Sequence, residues 1–308
     1  MPSTQDDHVE ISTRVLVESL VREDMTVDAR ELYAVARALG MTDLQVRLCV
    51  KRLVAEGQFV QSGRGQRAVL HASADARRTL YPDVEFVRFM YAQDQGEAPW
   101  DGTWHLVAFA VPESARAARD ALREHIVRMG GAPLQGGLYV SANPWEDLVG
   151  AEVSRLGADD YITYLTSTDL RVGGVHDPRK LADRLWPLDD LAHAHRRLAR
   201  VARSRLDRLS HSTSLDQPQL LTIAVELASE FTRALEPDPL LPPELLPHPW
   251  PGAQARELVA RCWQHLLQHA ASTSAPRLFR LYADVVREIT APAQTAAHGR
   301  RQVQGQTR

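Results

Sequence analysis

Two cysteines in 308 residues, Cys49 and Cys262, leave no material for a disulfide framework or a cysteine zinc site. Each lies in a stretch of helical apolar spacing, so both are expected to be reduced and buried. Aromatic residues are scarce, at 6%. The longest apolar run, Trp104 to Val111, is interrupted by His105 and falls far short of the roughly 20 residues a membrane helix needs. The chain opens Met1-Pro2-Ser3-Thr4-Gln5-Asp6-Asp7, without the basic and then apolar blocks of a signal peptide, so a cytoplasmic location is expected. Nor is there a large excess of one charge, the net value being -3. What remains is an ordinary globular composition, 44% apolar and 24% charged, in a chain long enough for two or three cores.

The small net charge conceals an uneven distribution. Residues 1–78 carry 11 basic and 11 acidic side chains, residues 79–172 carry 7 and 14, and the remainder 18 and 14. Within the first block, Arg47, Lys51, Arg52, Arg64 and Arg67 face only Glu56 over residues 47–67, a compact positive segment.

That segment sits in a recognisable order of elements. Apolar spacing predicts a helix over His8–Glu23 with Ile11, Val15, Leu16 and Leu20 on one stripe, and a second over Asp28–Leu39 stopped by Gly40. A turn of three residues follows. Thr42 with Gln45 three residues on has capping-box spacing, and predicts a third helix to Glu56 with Val46, Val50, Leu53 and Val54 inward. Two β-prone runs around Ser62-Gly63-Arg64-Gly65 predict a hairpin over Phe59–His71. Three helices and a hairpin in this order describe a winged helix-turn-helix. The third helix then turns Gln45, Arg47, Leu48, Lys51 and Arg52 outward, a surface suited to the base edges of double-stranded DNA, while Arg64 and Arg67 on the wing reach a phosphate strand or the minor groove. The competing reading is a merely solvated helix face. The expected DNA-binding set is Thr42, Gln45, Arg47, Lys51, Arg52, Arg64 and Arg67.

From Trp104 the pattern reads strand (104–111), helix (113–129), a short strand from Leu134, strand (137–141), helix (144–156) and strand (161–166), the βαββαβ order of a ferredoxin-like domain. The rest is helical: Pro178 to Leu209 broken at Pro187, Pro218–Leu235, Gly252–Ala271 and Arg277–Thr290, with a proline-dense loop over Glu236–Pro251. The polar tail after Ala291 lacks an apolar stripe and is expected to be disordered. The fold class is therefore α+β multidomain: a winged helix-turn-helix (1–78), a ferredoxin-like middle (79–172), an all-α C-terminal domain (173–290) and a tail (291–308).

Four stretches carry a resemblance to a known family. They are Val46-Arg47 through Arg52-Leu53-Val54 and Gly57; Trp100-Asp101-Gly102-Thr103-Trp104 with Arg116, Arg119, Arg123 and Leu134-Gln135-Gly136-Gly137-Leu138-Tyr139-Val140-Ser141; Leu185-Trp186-Pro187-Leu188-Asp189; and Asp238-Pro239-Leu240-Leu241-Pro242-Pro243-Glu244-Leu245-Leu246-Pro247 with Trp250-Pro251-Gly252. Together they resemble the PaaX family of transcriptional repressors of phenylacetic acid catabolism. The resemblance implies a homodimeric DNA-binding repressor, nucleoid-associated, released from its operator by an aryl-acyl-CoA effector of the phenylacetyl-CoA class; two heads held by one dimer then predict an inverted-repeat operator, and the residues themselves predict no metal and no catalytic residue. The chain departs from the family pattern at the wing, Gly63-Arg64-Gly65-Gln66-Arg67-Ala68-Val69-Leu70, and at His195, where a tyrosine is usual.

The middle segment also resembles the small ferredoxin-like nucleases of CRISPR adaptation, which raises a metal-dependent nuclease as the alternative function. Such a nuclease needs an aspartate at the end of the first strand to hold a divalent ion, and here that stretch is Phe109-Ala110-Val111-Pro112. A third reading is an orphan regulator without ligand. No enzyme activity is expected.

Other chemical signals are faint. Gly63-Arg64-Gly65-Gln66-Arg67-Ala68 resembles a dinucleotide fingerprint but opens no helix. His265 and His269 lack a third ligand nearby, and Ser210-His211-Ser212-Thr213-Ser214 is a polar loop rather than a triad. For an acyl-CoA effector, Trp100 and Trp104 with Arg116, Arg119 and Arg123 form the candidate set, against the plainer reading of core tryptophans and arginines paired with Asp120 and Glu124. The loop Pro237–Pro251 is a second candidate wall.

Overall fold

The computed structural model describes residues 8–74, 84–212 and 214–269. The predicted helix over 277–290 and the tail lie outside the described residues.

The N-terminal segment runs α1 (Thr13–Ser19), β1 (Thr26–Asp28), α2 (Ala29–Ala38), α3 (Asp43–Ala55), β2 (Phe59–Ser62) and β3 (Val69–Ala72). Helix α1 is shorter than its apolar spacing predicts. Ser12 caps it, and beyond Leu20 the chain turns through Met25 at φ +65°, with the Thr26 N–H and hydroxyl both donating to Asp24 Oδ1. Its buried stripe is Leu16, Val17, Leu20 and Val21, and Val15, expected inward, is 39% exposed. Asp28 caps α2 by accepting from the Glu31 N–H. The three strands form an antiparallel sheet in the order β1-β3-β2, with Val27 opposite Leu70 and Phe59 opposite Ala72.

After α4 (Val84–Asp94), the middle segment is β4 (Trp104–Phe109), α5 (Arg116–Arg128), β5 (Ala132–Gln135), β6 (Leu138–Ser141), α6 (Glu146–Leu156) and β7 (Ile162–Ser167). Its antiparallel sheet has the order β5-β6-β4-β7, the ferredoxin-like arrangement of a βαββαβ chain. Alternation along β4 divides the core. Val107 and Phe109 face Leu122, Ile126, Val149 and Val153 of α5 and α6, whereas Trp104 and Leu106 face away from them. That second face is covered by α7 (Pro178–Leu185), whose Leu181 and Ala182 pack on Trp104, Leu106 and Val140. Helix α7, read from sequence as part of the C-terminal segment, thus packs on the middle sheet.

The C-terminal helices are α8 (Leu188–His211), α9 (Gln217–Leu235) and α10 (Pro251–His269). The break between α7 and α8 falls at Pro187, as the sequence predicts. These helices share one core with the N-terminal segment: Leu16, Val35 and Val46 belong to the same buried cluster as Leu198, Leu221 and Trp263. Cys49 and Cys262 are both free thiols within it, and burial pushes the Cys262 thiol up to about 12. The linker helix α4 is clamped to this bundle, since Arg256 donates to both Asp94 oxygens at 2.6 Å and the Tyr91 hydroxyl donates to the Arg256 carbonyl. A second pin joins three segments, for Gln93 Nε2 donates to Asn143 Oδ1 and the Leu240 carbonyl, and Asn143 Nδ2 to the same carbonyl.

Among the described residues no helix is long and apolar enough to cross a membrane.

Candidate nucleic-acid interface

Helix α3 starts where the capping signal places it. The Gln45 N–H donates to Thr42 Oγ1, and Gln45 Oε1 accepts from the Thr42 N–H at 2.7 Å and from the Thr42 hydroxyl at 2.8 Å. Thr42 and Gln45 therefore hold each other, and only the Gln45 NH2 group is left to meet a ligand. Val46, Cys49, Val50 and Leu53 face inward, while burial pushes the Cys49 thiol above its ordinary range. Val54, expected in that stripe, is 36% exposed.

The opposite face of α3 is exposed from end to end: Thr42, Gln45, Arg47, Leu48, Lys51 and Arg52 all lie on the surface. Arg64 and Arg67 are exposed on the hairpin. Gly63 and Gly65, at φ +78° and +61°, turn the chain between β2 and a short 3-10 turn at Gly65–Arg67, a backbone that a side chain would strain. The glycines of the apparent dinucleotide fingerprint thus serve a turn between strands.

An open cleft of about 330 Å³ lies between α2, α3 and the hairpin, and Arg47, Lys51 and Arg64 line it beside Tyr33 and Gln61. No carboxylate lines it. Arg52, on α3, and Arg67, on the hairpin, are exposed but do not line the cleft. Among the described residues none of Arg47, Lys51, Arg52, Arg64 and Arg67 makes a salt bridge, and the one acid of the run is neutralised elsewhere: Glu56 pairs with Arg14 of α1 at 3.1 Å. Bonds to Glu18 and Glu56 hold the Arg14 guanidinium above its ordinary value. Three cations that share one cleft and have no salt bridge among the described residues favour an anionic ligand with hydrogen-bond acceptors.

Sequence reasoning missed one feature of this face. Leu44 and Leu48, 58% and 56% exposed, lie one turn apart along the middle of the exposed stripe. The helix phase turns Leu48 outward, and the i, i+4 relation that sets Leu44 beside it is the signal in the sequence for the pair.

The expected effector set does not assemble. Trp104 is buried in the face of the sheet covered by α7, stacked on Trp186 at 6.3 Å and edge-on to Trp100 at 5.2 Å. Arg116, Arg119 and Arg123 stand on α5, which covers the other face. Arg116 and Arg119 are paired with Glu113 and Asp120, and Arg123 is exposed. The sheet separates the tryptophans from the arginines because β4 alternates its side chains between them. The proline-dense loop instead contributes Pro239 and Leu240 to a cavity of about 300 Å³, walled also by Phe86, Phe89 and Trp145. His195 is fully buried, its Nε2 at 2.7 Å from Asp238 Oδ2 of the same loop.

Where a nuclease needs its acid, Ala110 follows β4 and its N–H donates to the Tyr161 carbonyl. Among the described residues no group of three or more His, Cys, Asp or Glu side chains is placed to hold a metal ion. The side chain of His269, and Thr213 of the polar loop, lie outside the described residues.

Fold and surface together define a mixed α/β protein with a ferredoxin-like middle, a helical C-terminal bundle and an exposed cationic cleft at its N-terminal end. The chain belongs to the PaaX family. Residues 97–182 match the family model described as the PaaX protein central Cas2-like domain, and residues 186–275 that described as the PaaX-like protein C-terminal domain. Among solved structures, the chain is similar to one titled "Uncharacterized protein Rv0674 from Mycobacterium tuberculosis", with 23% identity, coverage of 83% of this chain and 97% of that one, and a TM-score of 0.49. No curated protein matches the chain.

Proposed function

We propose that this protein is a DNA-binding transcriptional regulator of the PaaX type, a cytoplasmic homodimeric repressor whose N-terminal segment is a winged helix-turn-helix. In this reading α3 lies in the major groove, with Arg47 and Lys51 donating to base edges or phosphates, and the hairpin follows the neighbouring phosphate strand through Arg64 and Arg67. The observation that carries it is the cleft between α3 and the hairpin, lined by three unpaired cations and no acid. Two copies related by a twofold axis would favour an inverted repeat with half-sites one turn, roughly 10 to 10.5 base pairs, or a multiple of it apart.

An aryl-acyl-CoA remains the proposed effector. The apolar cavity between α4, the β6–α6 connection and Leu240 supports a site for its ring better than Trp100 and Trp104 do. A ligand that binds the DNA-incompetent form more tightly weakens operator binding, and DNA weakens ligand binding by the same factor. Stabilisation by phenylacetyl-CoA in a thermal-shift assay is the expected result. Its absence would favour a regulator without this ligand.

The decisive test is a gel-shift titration of duplexes selected from a random pool. The Arg47→Ala, Lys51→Ala, Arg52→Ala triple variant should bind more weakly, and its slope of log K against log salt should fall by about 0.9 for each phosphate that is no longer neutralised. Unchanged binding would refute the assigned surface. Plasmid incubated with magnesium should stay intact, since we propose binding without turnover.

A further inference from the structure

Helix α3 carries an apolar pair inside its cationic face. Leu44 and Leu48 are the second and sixth residues of the helix, and both are more than half exposed. On a helical projection Arg47 and Lys51 fall to one side of them and Gln45 and Arg52 to the other. Isolated exposed leucines are commonplace on protein surfaces. Two adjacent ones bracketed by unpaired cations are a different matter, because a flanking guanidinium or ammonium confines what can be laid over them to something anionic at its margins and apolar at its centre. The floor of a DNA major groove meets that description at one base, since thymine alone presents a C5 methyl among hydrogen-bond acceptors and donors, with phosphates on both rims.

Position along the helix agrees with this assignment. The residues of a reading helix that meet base edges come from its N-terminal turns, and the Thr42–Gln45 capping box fixes the first turn of α3. A leucine side chain is too short to span from the groove floor to a phosphate rim, and it carries nothing to donate to one.

We propose that Leu44 and Leu48 read thymine methyl groups, so that each half-site contains a thymine, or two adjacent ones, beneath the first two turns of α3. The proposal rests on the DNA-binding reading above and goes beyond it by naming the base and the residues that select it.

The test uses the full chain and the tightest duplex selected from a random pool. Each thymine is replaced singly by deoxyuridine, which removes the methyl and nothing else, and affinity is measured by fluorescence anisotropy for the parent, Leu44→Ala and Leu48→Ala. For the parent, one or two positions per half-site should lose about three- to five-fold, the size expected for uncovering one methyl group. The variant lacking the matching leucine should show no resolvable loss at that position. Alanine is a better helix former than leucine and both sites are exposed, so the variants should fold, and circular dichroism verifies this. If the selected duplex binds but methyl removal changes nothing, or changes parent and variants alike, the proposal is overturned while DNA binding stands. If no duplex is enriched over competitor, the DNA reading itself falls. Variants that keep the parent's methyl dependence but change mass in light scattering would assign the pair to a protein contact instead, which also overturns it.

Discussion

Arg256 lies buried between two carboxylates, bonded to both oxygens of Asp94 and 3.7 Å from Asp238, whose Oδ2 also meets Nε2 of the buried His195. Removing the guanidinium would leave the part-buried Asp94 without its ion-pair partner, and Asp238 with His195 and the Leu240 N–H alone. Arg256→Ala should therefore cost about 3–5 kcal/mol, the range for breaking a buried ion pair from one side. Chemical denaturation measures this, and a loss below about 1 kcal/mol, the range of an exposed pair, would mean that solvent reaches the site. None of this network was legible in the sequence, because its members come from α4, α8, α10 and the loop before α10, and nothing local marks them as partners. The cations of α3 were legible for the opposite reason. Their role depends on helix phase alone, and Val46, Val50 and Leu53 set that phase. Phase did not reveal that Gln45 has committed its carbonyl oxygen to Thr42.

Among the elements, α2, its turn and α3 emerge at their expected places because their signals are short-range: Asp28 and Thr42 as caps, and Gly40 at φ +76° after α2. Two elements of the N-terminal segment depart from the sequence pattern, and α4, farther on, has no counterpart in it. Strand β1 is three residues long, too short for an alternation to register, and exists because β3 supplies its hydrogen bonds. Helix α1 ends early because Asp24 and Met25 turn the chain toward that strand. The capping box makes the start of α3 an energetic feature as well as a marker. Thr42→Ala should lower stability by about 0.5–2 kcal/mol, leaving the Gln45 amide oxygen held by the backbone N–H of residue 42 alone. Thermal unfolding reads the first effect. If the cap also positions the reading residues, affinity for a selected duplex should fall while the salt slope stays constant, since every phosphate keeps its cation. A parallel fall in slope would show instead that removing the cap displaces Arg47 or Lys51.

Across the whole molecule, the chain returns on itself in a way that no window of sequence reports. Residues of α1, α2 and α3 share a core with α8, α9 and α10, so the N-terminal segment is mounted on the C-terminal bundle rather than strung from a linker. The middle sheet, covered on one face by α7 and on the other by α5 and α6, has unequal edges. At one edge β5 holds Pro133 and an irregular register, both of which discourage further pairing. At the other, β7 reads Ile162-Thr163-Tyr164-Leu165-Thr166-Ser167, without charge or proline, and its four central residues are exposed. Exposed strands of this kind are a template for another strand. Antiparallel pairing with the same strand of a second copy would satisfy the open backbone groups and cover Tyr164 and Leu165, the isologous contact of a twofold dimer. Thr163 and Leu165 share one face of β7, opposite Ala108 and Leu106. In the homodimer proposed above, Thr163→Lys with Leu165→Lys should therefore reduce the mass in light scattering from dimer to monomer without loss of helical circular dichroism. It should also weaken binding to an inverted repeat far more than binding to a single half-site, because the two N-terminal segments no longer act at one effective concentration. A double-lysine variant that keeps the dimeric mass would place the twofold contact on another surface and leave the open edge of β7 without this role.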